Sequence, residues 1–332
     1  KPILHFGVGT QGYQGSNETN YMTPTKVLVT GGAGFIGSHV VNQLLDLGHQ
    51  VVVVDNLRSG HPSHLPPDIP LYQTDITTPA LEDVFREERP DLVCHYAAQI
   101  SVQLSMSDPL VDADINVRGS LNLLQNCVRY GVKKVVYTSS GGAIYGEPLH
   151  LPCEETHPIH PLSPYGVSKH AVENYLNVYR QSYGLDYTVL RLSNVYGPRQ
   201  DPFGEAGVVA IFSRAMLQRK PLIINGSGEQ ERDFLYVQDV ARASIMALAM
   251  GSGEAFNIGT GMGTSVNQIH SLLKKIADYP CEASHGPSKP GEVFKIYLDI
   301  TKARQKLGWE PRFSLEDGLE DTLEWFRGAT WV

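Results

Sequence analysis

A chain of 332 residues, 42% hydrophobic and 19% charged, can bury a sizeable core and has room for two lobes. Its net charge of −8 gives no basic footprint for nucleic acid, so a phosphate-bearing ligand must be met by local cations or backbone amides. No run approaches the roughly 18 apolar residues of a membrane span, and Cys94, Cys127, Cys153, Cys281 and the 12 histidines lack disulfide or ligand spacing, so a soluble, cytoplasmic, metal-free protein is expected.

Residues 1–21 are rich in Gly, Asn, Gln and Thr without periodicity and read as an N-terminal extension or arm of unknown role before Met22. Lys26–Thr30 predicts a short buried strand running into Gly31-Gly32-Ala33-Gly34-Phe35-Ile36-Gly37. A helix follows, with Phe35, Ile36, Val40, Val41, Leu44, Leu45 and Leu47 mostly along one side and Gly48 closing it. The next strand, Gln50–Val54, ends in Asp55. Strand, glycine loop, helix, strand and acid make a complete dinucleotide-binding unit, since Gly32-x-Gly34-x-x-Gly37 and Gly31-x-x-Gly34-x-x-Gly37 both fit the required spacing. The glycines let backbone approach a pyrophosphate, and the helix N-terminus offers unpaired N–H groups. Asp55 stands where a carboxylate accepts both ribose hydroxyls and repels a 2′-phosphate, which predicts NAD over NADP, with Arg58 read as a solvated loop charge.

Strands at Leu92–Tyr96, Lys134–Thr138 and Tyr187–Arg191 alternate with helices at Leu110–Tyr130 and Tyr165–Tyr183. Such alternation predicts an α/β fold with a doubly wound parallel sheet. A Rossmann domain is expected over 22–193, with 236–260 returning to it through a helix at Val237–Met250 and a strand at Ala255–Ile258. The Gly- and Pro-rich stretches after Asn194 predict a smaller, mixed α/β substrate lobe over 194–235 and 261–332, with the ligand crevice at the carboxyl ends of the strands.

Within this frame Tyr165-Gly-Val-Ser-Lys169 carries chemistry, because a Tyr and a Lys four apart share one helix face. An ammonium at roughly 5 Å with an effective dielectric of about 20 is worth about 3 kcal/mol, which would bring a phenol of ordinary pKa about 10 toward neutrality as a base. That predicts redox chemistry at a carbinol carbon.

The segments Thr30-Gly-Gly-Ala-Gly-Phe-Ile-Gly37, Ser139-Ser-Gly-Gly-Ala-Ile-Tyr-Gly146, Pro164-Tyr-Gly-Val-Ser-Lys169, Arg191-Leu-Ser-Asn-Val-Tyr-Gly-Pro198 and Arg232-Asp-Phe-Leu-Tyr-Val237 occur in order. Together, from about Lys26 to about Phe326, the chain resembles an extended short-chain dehydrogenase/reductase of the sugar-nucleotide branch. The resemblance implies NAD-dependent 4-epimerisation of a UDP-hexose, UDP-glucose and UDP-galactose first, with UDP-N-acetylhexosamines and UDP-glucuronate as alternatives. A nucleotide-sugar 4,6-dehydratase, which begins with the same oxidation and then eliminates water, fits less well, because Gly141-Gly142-Ala143 puts no acid beside the catalytic hydroxyl, and a non-catalytic NAD-binding scaffold would typically lose Tyr165 or Lys169.

By the same resemblance Tyr165 is the base and Lys169 lowers its pKa and holds the nicotinamide ribose. The partner hydroxyl is Ser140, 25 residues before the Tyr, although alignment from Ala-Ile-Tyr-Gly puts Gly141 there and Ser139 is a neighbour. NAD would be held by Gly31, Gly34, Phe35, Ile36, Gly37, Asp55 and Asn56, with Asp75 and Ile76 around the adenine. Ala97 and Ala98 would lie beside the pyrophosphate and ribose, and Asn116, Tyr165 and Lys169 in the cofactor cleft. Asp75 could instead cap a turn before Thr77 and Thr78, and Asn116 could lie on a solvated helix face.

The UDP-sugar would meet Ser140, Tyr165, Asn194, Val208 and Val209, and Arg232 on its phosphates, where a local ion pair with Asp233 is the competing role. Lys289 would face the diphosphate, keeping the charge of a more usual Arg without its fork, and Glu292 the uridine ribose. Ile296 falls near a position that limits room beside the sugar. A homodimer through the helices Leu110–Tyr130 and Tyr165–Tyr183 is also implied.

Overall fold

The computed structural model describes residues 24–203, 207–288 and 293–329, so the expected arm over 1–21 lies outside the described residues. Seven strands form one sheet in the order Glu254–Ile258, Asp186–Leu192, Lys134–Ser140, Leu92–His95, Lys26–Thr30, Gln50–Asp55 and Leu71–Gln73. Every neighbouring pair is parallel. The chain builds outward from Lys26–Thr30 to one edge and then, from Leu92–His95, outward to the other. This is the Rossmann arrangement, and the reversal between those two strands opens a crevice at their carboxyl ends.

The valine-rich strands make this sheet because both its faces are covered. Val27, Val29, Val51 and Val53 enter the core on one face, and Leu28, Val52 and Val54 the core on the other. Each fully buried side chain of this size contributes about 1.5–3 kcal/mol, and a one-residue slip of register would exchange the two sets. The helix after the glycine loop, Phe35–Asp46, buries Val40, Val41 and Leu44, while Gly48 with φ +80° turns the chain out of it. Leu47, expected on the apolar side, falls beyond the last helical residue and is 53% exposed.

Leu110–Tyr130 was expected as one helix and is divided: Pro109–Ala113 is α-helical, Asp114–Gly119 is π-helical and Ser120–Tyr130 is α-helical again. The widened turn matters below, because π segments re-aim the side chains they carry. The edge strand Leu71–Gln73 escaped the sequence reading because three residues cannot display a period.

A third apolar cluster includes Tyr196, Val209, Phe212, Phe234, Ile269 and Leu319, and it supports the region after Asn194. Its helix Val266–Ile276 starts with a capping box, Ser265 accepting from the Gln268 N–H while Gln268 returns a bond to the Ser265 N–H. Farther on, Ile300, Ala303, Leu307 and Trp309 pack back onto the large sheet, and the Trp309 indole donates to the Asp239 carbonyl at 3.0 Å. Among the described residues, no helix is long and apolar enough to cross a membrane.

Candidate active site

The glycine loop leaves the first strand at Thr30 and is tight because its backbone touches neighbouring backbone. Gly31 has φ +68°, and a Cβ on it would come within 2.7 Å of the Ala97 nitrogen. A Cβ on Gly32 would lie 2.8 Å from Val53, and one on Gly37 would run into the Gly31 carbonyl. Gly34 serves as N-cap with no side-chain hydrogen bond, and the first turn holds no acid. The leading N–H groups of the helix at Phe35 and Ile36 are thus left for an anion.

Asp55 is 6% exposed and shapes this loop, accepting the Ala33 N–H at 3.0 Å and the Leu57 N–H at 2.8 Å. One lone pair remains on each oxygen. Asn56 donates to Asp75 at 2.8 Å. Asp75 also accepts from the Thr77 N–H and hydroxyl, which is the turn-capping role weighed for it. Burial works against its charge, but those bonds and nearby Arg118 hold the carboxyl below the usual range. Ile76 is buried at 4% against Gly119, where a Cβ would lie 2.8 Å from it. Ala97 borders the glycine loop, its N–H directed to the Thr30 hydroxyl at 3.3 Å, and Ala98 follows it half-buried.

The helix Pro164–Tyr183 starts at Ser163, whose hydroxyl accepts the Gly166 N–H at 3.2 Å. A Cβ on Gly166 would strike the Ala143 carbonyl and come within 2.9 Å of Pro161, so the glycine lets this helix start press against the turn Gly141–Ile144. The contact brings Tyr165 into hydrogen-bond reach of Ser140, at the end of the strand Lys134–Ser140. Ser139, by contrast, is 2% exposed and lies on the side of Glu173.

Lys169 is 5% exposed, with its ammonium 4.8 Å from the centroid of the Tyr137 ring. Burial pulls its pKa down to about 8 against the charges of Asp112 and Glu173. The Tyr165 phenol is pushed up to about 12, first by burial and further by Asp112, with the Ser140 hydrogen bond opposing. This reverses the direction expected from the sequence, and the reason is geometric. Lys169 is set over Tyr137, and at the phenol desolvation outweighs any help the ammonium gives.

Asn116 sits in the π segment and is 2% exposed, not on a solvated face. It accepts the Gln99 N–H at 2.8 Å and donates to the Gln99 carbonyl at 2.9 Å, to Asp112 at 3.0 Å and to Ser168 at 3.3 Å. The widened turn thus pins the helix carrying Lys169 to the segment that follows Ala97 and Ala98.

Across the cleft, Asn194 is exposed, and a Cβ on Gly142 would lie 3.6 Å from its Oδ1, which places it opposite the Ser140 loop. Val208 and Val209 open the helix Val208–Leu217, but Val209 is 1% exposed in the smaller core, leaving only its backbone for a ligand. Arg232 pairs in register with Ile296 and donates to the Glu231 carbonyl at 2.8 Å. Asp233 spends both oxygens on Thr260, Gly261 and Leu298. Ile296 is buried at 3% in a cluster with Ile144 and Leu298. Lys289 and Glu292 lie outside the described residues.

Sequence reading missed the support behind the site. Arg191 and Glu173 form a two-pronged pair at 3.1 and 2.7 Å, and Arg191 also donates to Tyr145 and to the Glu155 carbonyl at 3.0 Å each. Burial opposes the Glu173 charge, but His170 and Arg191 hold its carboxyl below the usual range. The signal was present: Glu173 follows Lys169 by four residues, on the same helix face.

Residues 27–259 match the family described as NAD dependent epimerase/dehydratase. A curated relative from Mycolicibacterium smegmatis, named UDP-glucose 4-epimerase, is 44% identical over 92% of this chain and 99% of its own length. The crystal structure of a UDP-glucose 4-epimerase with UDP-glucose from Thermotoga maritima is 52% identical with a TM-score of 0.90, covering 91% of this chain and 99% of that one. A UDP-glucose 4-epimerase from Thermus thermophilus in complex with NAD is 44% identical with a TM-score of 0.88, over 92% of this chain and 100% of that one.

Proposed function

We infer the reaction from one premise: the chain belongs to the NAD dependent epimerase/dehydratase family. It is an NAD-dependent isomerase that inverts C4 of a UDP-hexose, UDP-glucose and UDP-galactose first; the relatives are named UDP-glucose 4-epimerase. The observation that carries the chemistry is the Tyr165–Ser140 contact at the carboxyl end of the sheet, beside a glycine loop with no room for side chains. That loop and the uncapped helix behind it fit NAD, which when bound supplies the acceptor and donor of the C4 hydride.

Gly31, Gly34, Phe35, Ile36 and Gly37 hold the pyrophosphate by backbone, with Ala97 beside it. Asp55 takes the adenosine ribose on its remaining lone pairs, and Asn56, Asp75 and Ile76 border the adenine. Tyr165 removes the proton of the 4-hydroxyl and later returns it to the same oxygen once the turned sugar presents its other face to the nicotinamide. Ser140 bonds the same oxygen, and Lys169 keeps a positive charge near the phenol as its proton leaves. Inversion needs the 4-keto sugar to turn between the two half-reactions while the nucleotide stays fixed. Arg232, with Asn194 and the start of the Val208 helix, supplies that anchor, and 194–235 together with 261–332 form the substrate lobe, except for the stretch from Ile300 to Trp309 that packs back onto the large sheet.

Incubation with UDP-galactose and no added reductant should yield UDP-glucose, read by product chromatography. Unchanged UDP-galactose with NAD still bound would sink this reading. In a sugar panel UDP-N-acetylhexosamines and UDP-glucuronate are the competing substrates.

The chain further reads as a cytoplasmic homodimer. Leu110 at 80% exposure, Val167 at 55% and Val178 at 51% leave apolar surface on the two helices implied in pairing. The expected elution on a sizing column at micromolar concentration is that of two chains, and elution at monomer mass would refute the pairing.

A further inference from the structure

Asp112 lies on the helix Pro109–Ala113, four residues before Asn116, and is 1% exposed. Its Oδ1 accepts from Gln99 Nε2 at 2.9 Å and from Asn116 Nδ2 at 3.0 Å. Gln99 is held in turn by Ser101, to whose carbonyl it donates at 2.8 Å and whose N–H it accepts. The carboxylate is therefore clamped on one oxygen, while Oδ2 is buried with no hydrogen-bond partner among the described residues. A buried, half-satisfied carboxylate is costly and persists only beside a compensating positive charge.

Nothing in the dinucleotide unit or in the Tyr–Lys pattern calls for this acid. We propose that Asp112 is a positioning residue for the reaction: its clamped carboxylate, joined through Asn116 to Ser168 next to Lys169, is the counter-charge for that buried ammonium. This rests on the epimerase reading above.

The surroundings leave few other groups to do this. From the helix Pro164–Tyr183, Tyr165, Lys169 and Glu173 face this region, and Glu173 is already bound to Arg191 at 2.7 Å. From the sheet come Tyr137 and His95, and burial keeps His95 neutral with its pKa near 3. Asp114 and Arg118, on the adjoining π segment, are about half exposed and pair with each other. The helix Val102–Ser107 carries no titratable side chain.

The Asp112 charge raises the proton affinity of Lys169, offsetting part of the effect of burial, and raises that of Tyr165, adding to burial. Removing the charge lowers both. Because turnover needs a deprotonated Tyr165 and a protonated Lys169, both limbs of the bell should then move toward acid.

The test is the pH profile of kcat/KM for UDP-galactose in the NAD-loaded wild type, Asp112→Asn and Asp112→Ala, with Asp112→Glu as the charge-restoring control. Both limbs should shift down by about one pH unit in the two uncharged variants and return in Asp112→Glu. Unmoved limbs, including a rate lowered equally at every pH as a structural defect would give, overturn the proposal. Ultraviolet difference titration of the tyrosinate band against Tyr165→Phe, in the wild-type and Asp112→Asn backgrounds, needs no turnover. A Tyr165 transition at lower pH without the acid supports the coupling, and an unchanged transition overturns it. If wild type fails on UDP-galactose, the epimerase reading falls and this titration still decides the role of Asp112.

Discussion

Tyr165→Phe lowers the rate of UDP-galactose epimerisation by about 10³-fold or more, while NAD content and melting temperature stay close to wild type. The substitution removes one oxygen and keeps the ring at the start of the helix Pro164–Tyr183. A positioned acid–base group contributes about 10²–10⁴-fold, and here one phenol serves both proton transfers of the cycle, so its loss falls in the upper part of that range. Ser140 cannot take over, because an aliphatic hydroxyl without a base beside it binds a proton too tightly to exchange it near neutrality. Stopped assays and release of bound NAD by denaturation provide the two readouts. A variant retaining more than a tenth of the wild-type rate would remove Tyr165 from the chemistry.

The strands, the glycine loop and the Tyr–Lys helix were legible because each rests on local patterning. Valine runs, a glycine spacing set by close backbone contact and a four-residue repeat all survive any tertiary context. Their expected ends moved by a residue or two, as with Lys134–Ser140 where Lys134–Thr138 was read. That shift has a functional side, since extending the strand carries Ser140 to Tyr165 and leaves Ser139 beneath it.

What the sequence could not display was the balance of charge in the cleft. Four-residue spacing places Tyr165 and Lys169 on one face, but whether the ammonium or the low dielectric governs the phenol depends on Tyr137, which comes from another strand. Asn116 is a similar case. A polar residue in mid-helix looked equally suited to solvent, and only the π turn directs it inward to Gln99 and Ser168. Asp112 gave no signal, because an acid four residues before an Asn is ordinary on a helix surface.

Arg191→Leu is expected to destabilise the fold by about 3–5 kcal/mol, seen as a lower denaturant midpoint, and to slow turnover as well. The change leaves Glu173, 8% exposed, as a buried carboxylate with His170 at 3.2 Å but no guanidinium, and strips hydrogen bonds from Tyr145 and Glu155. In wild type the carboxyl of Glu173 is held below its ordinary value of 4.5, so the stability it contributes is full above that pH and is lost as pH falls through the depressed value. Without Arg191 the sign inverts. Burial then raises the Glu173 pKa, and acidification that neutralises the side chain recovers part of the deficit. Replacing both partners by Leu should be less damaging than replacing Arg191 alone, since no unpaired charge remains. Equal stability of the single and double variants at neutral pH would show that the pair is not what holds these elements together. The link to catalysis is the register: Arg191 lies opposite Ser139 on the neighbouring strand, and Glu173 lies two turns beyond Tyr165 on its helix. The pair therefore fixes the helix bearing Tyr165, the proposed base, against the strand bearing Ser140, and a helix freed from that strand would carry Tyr165 away from that serine.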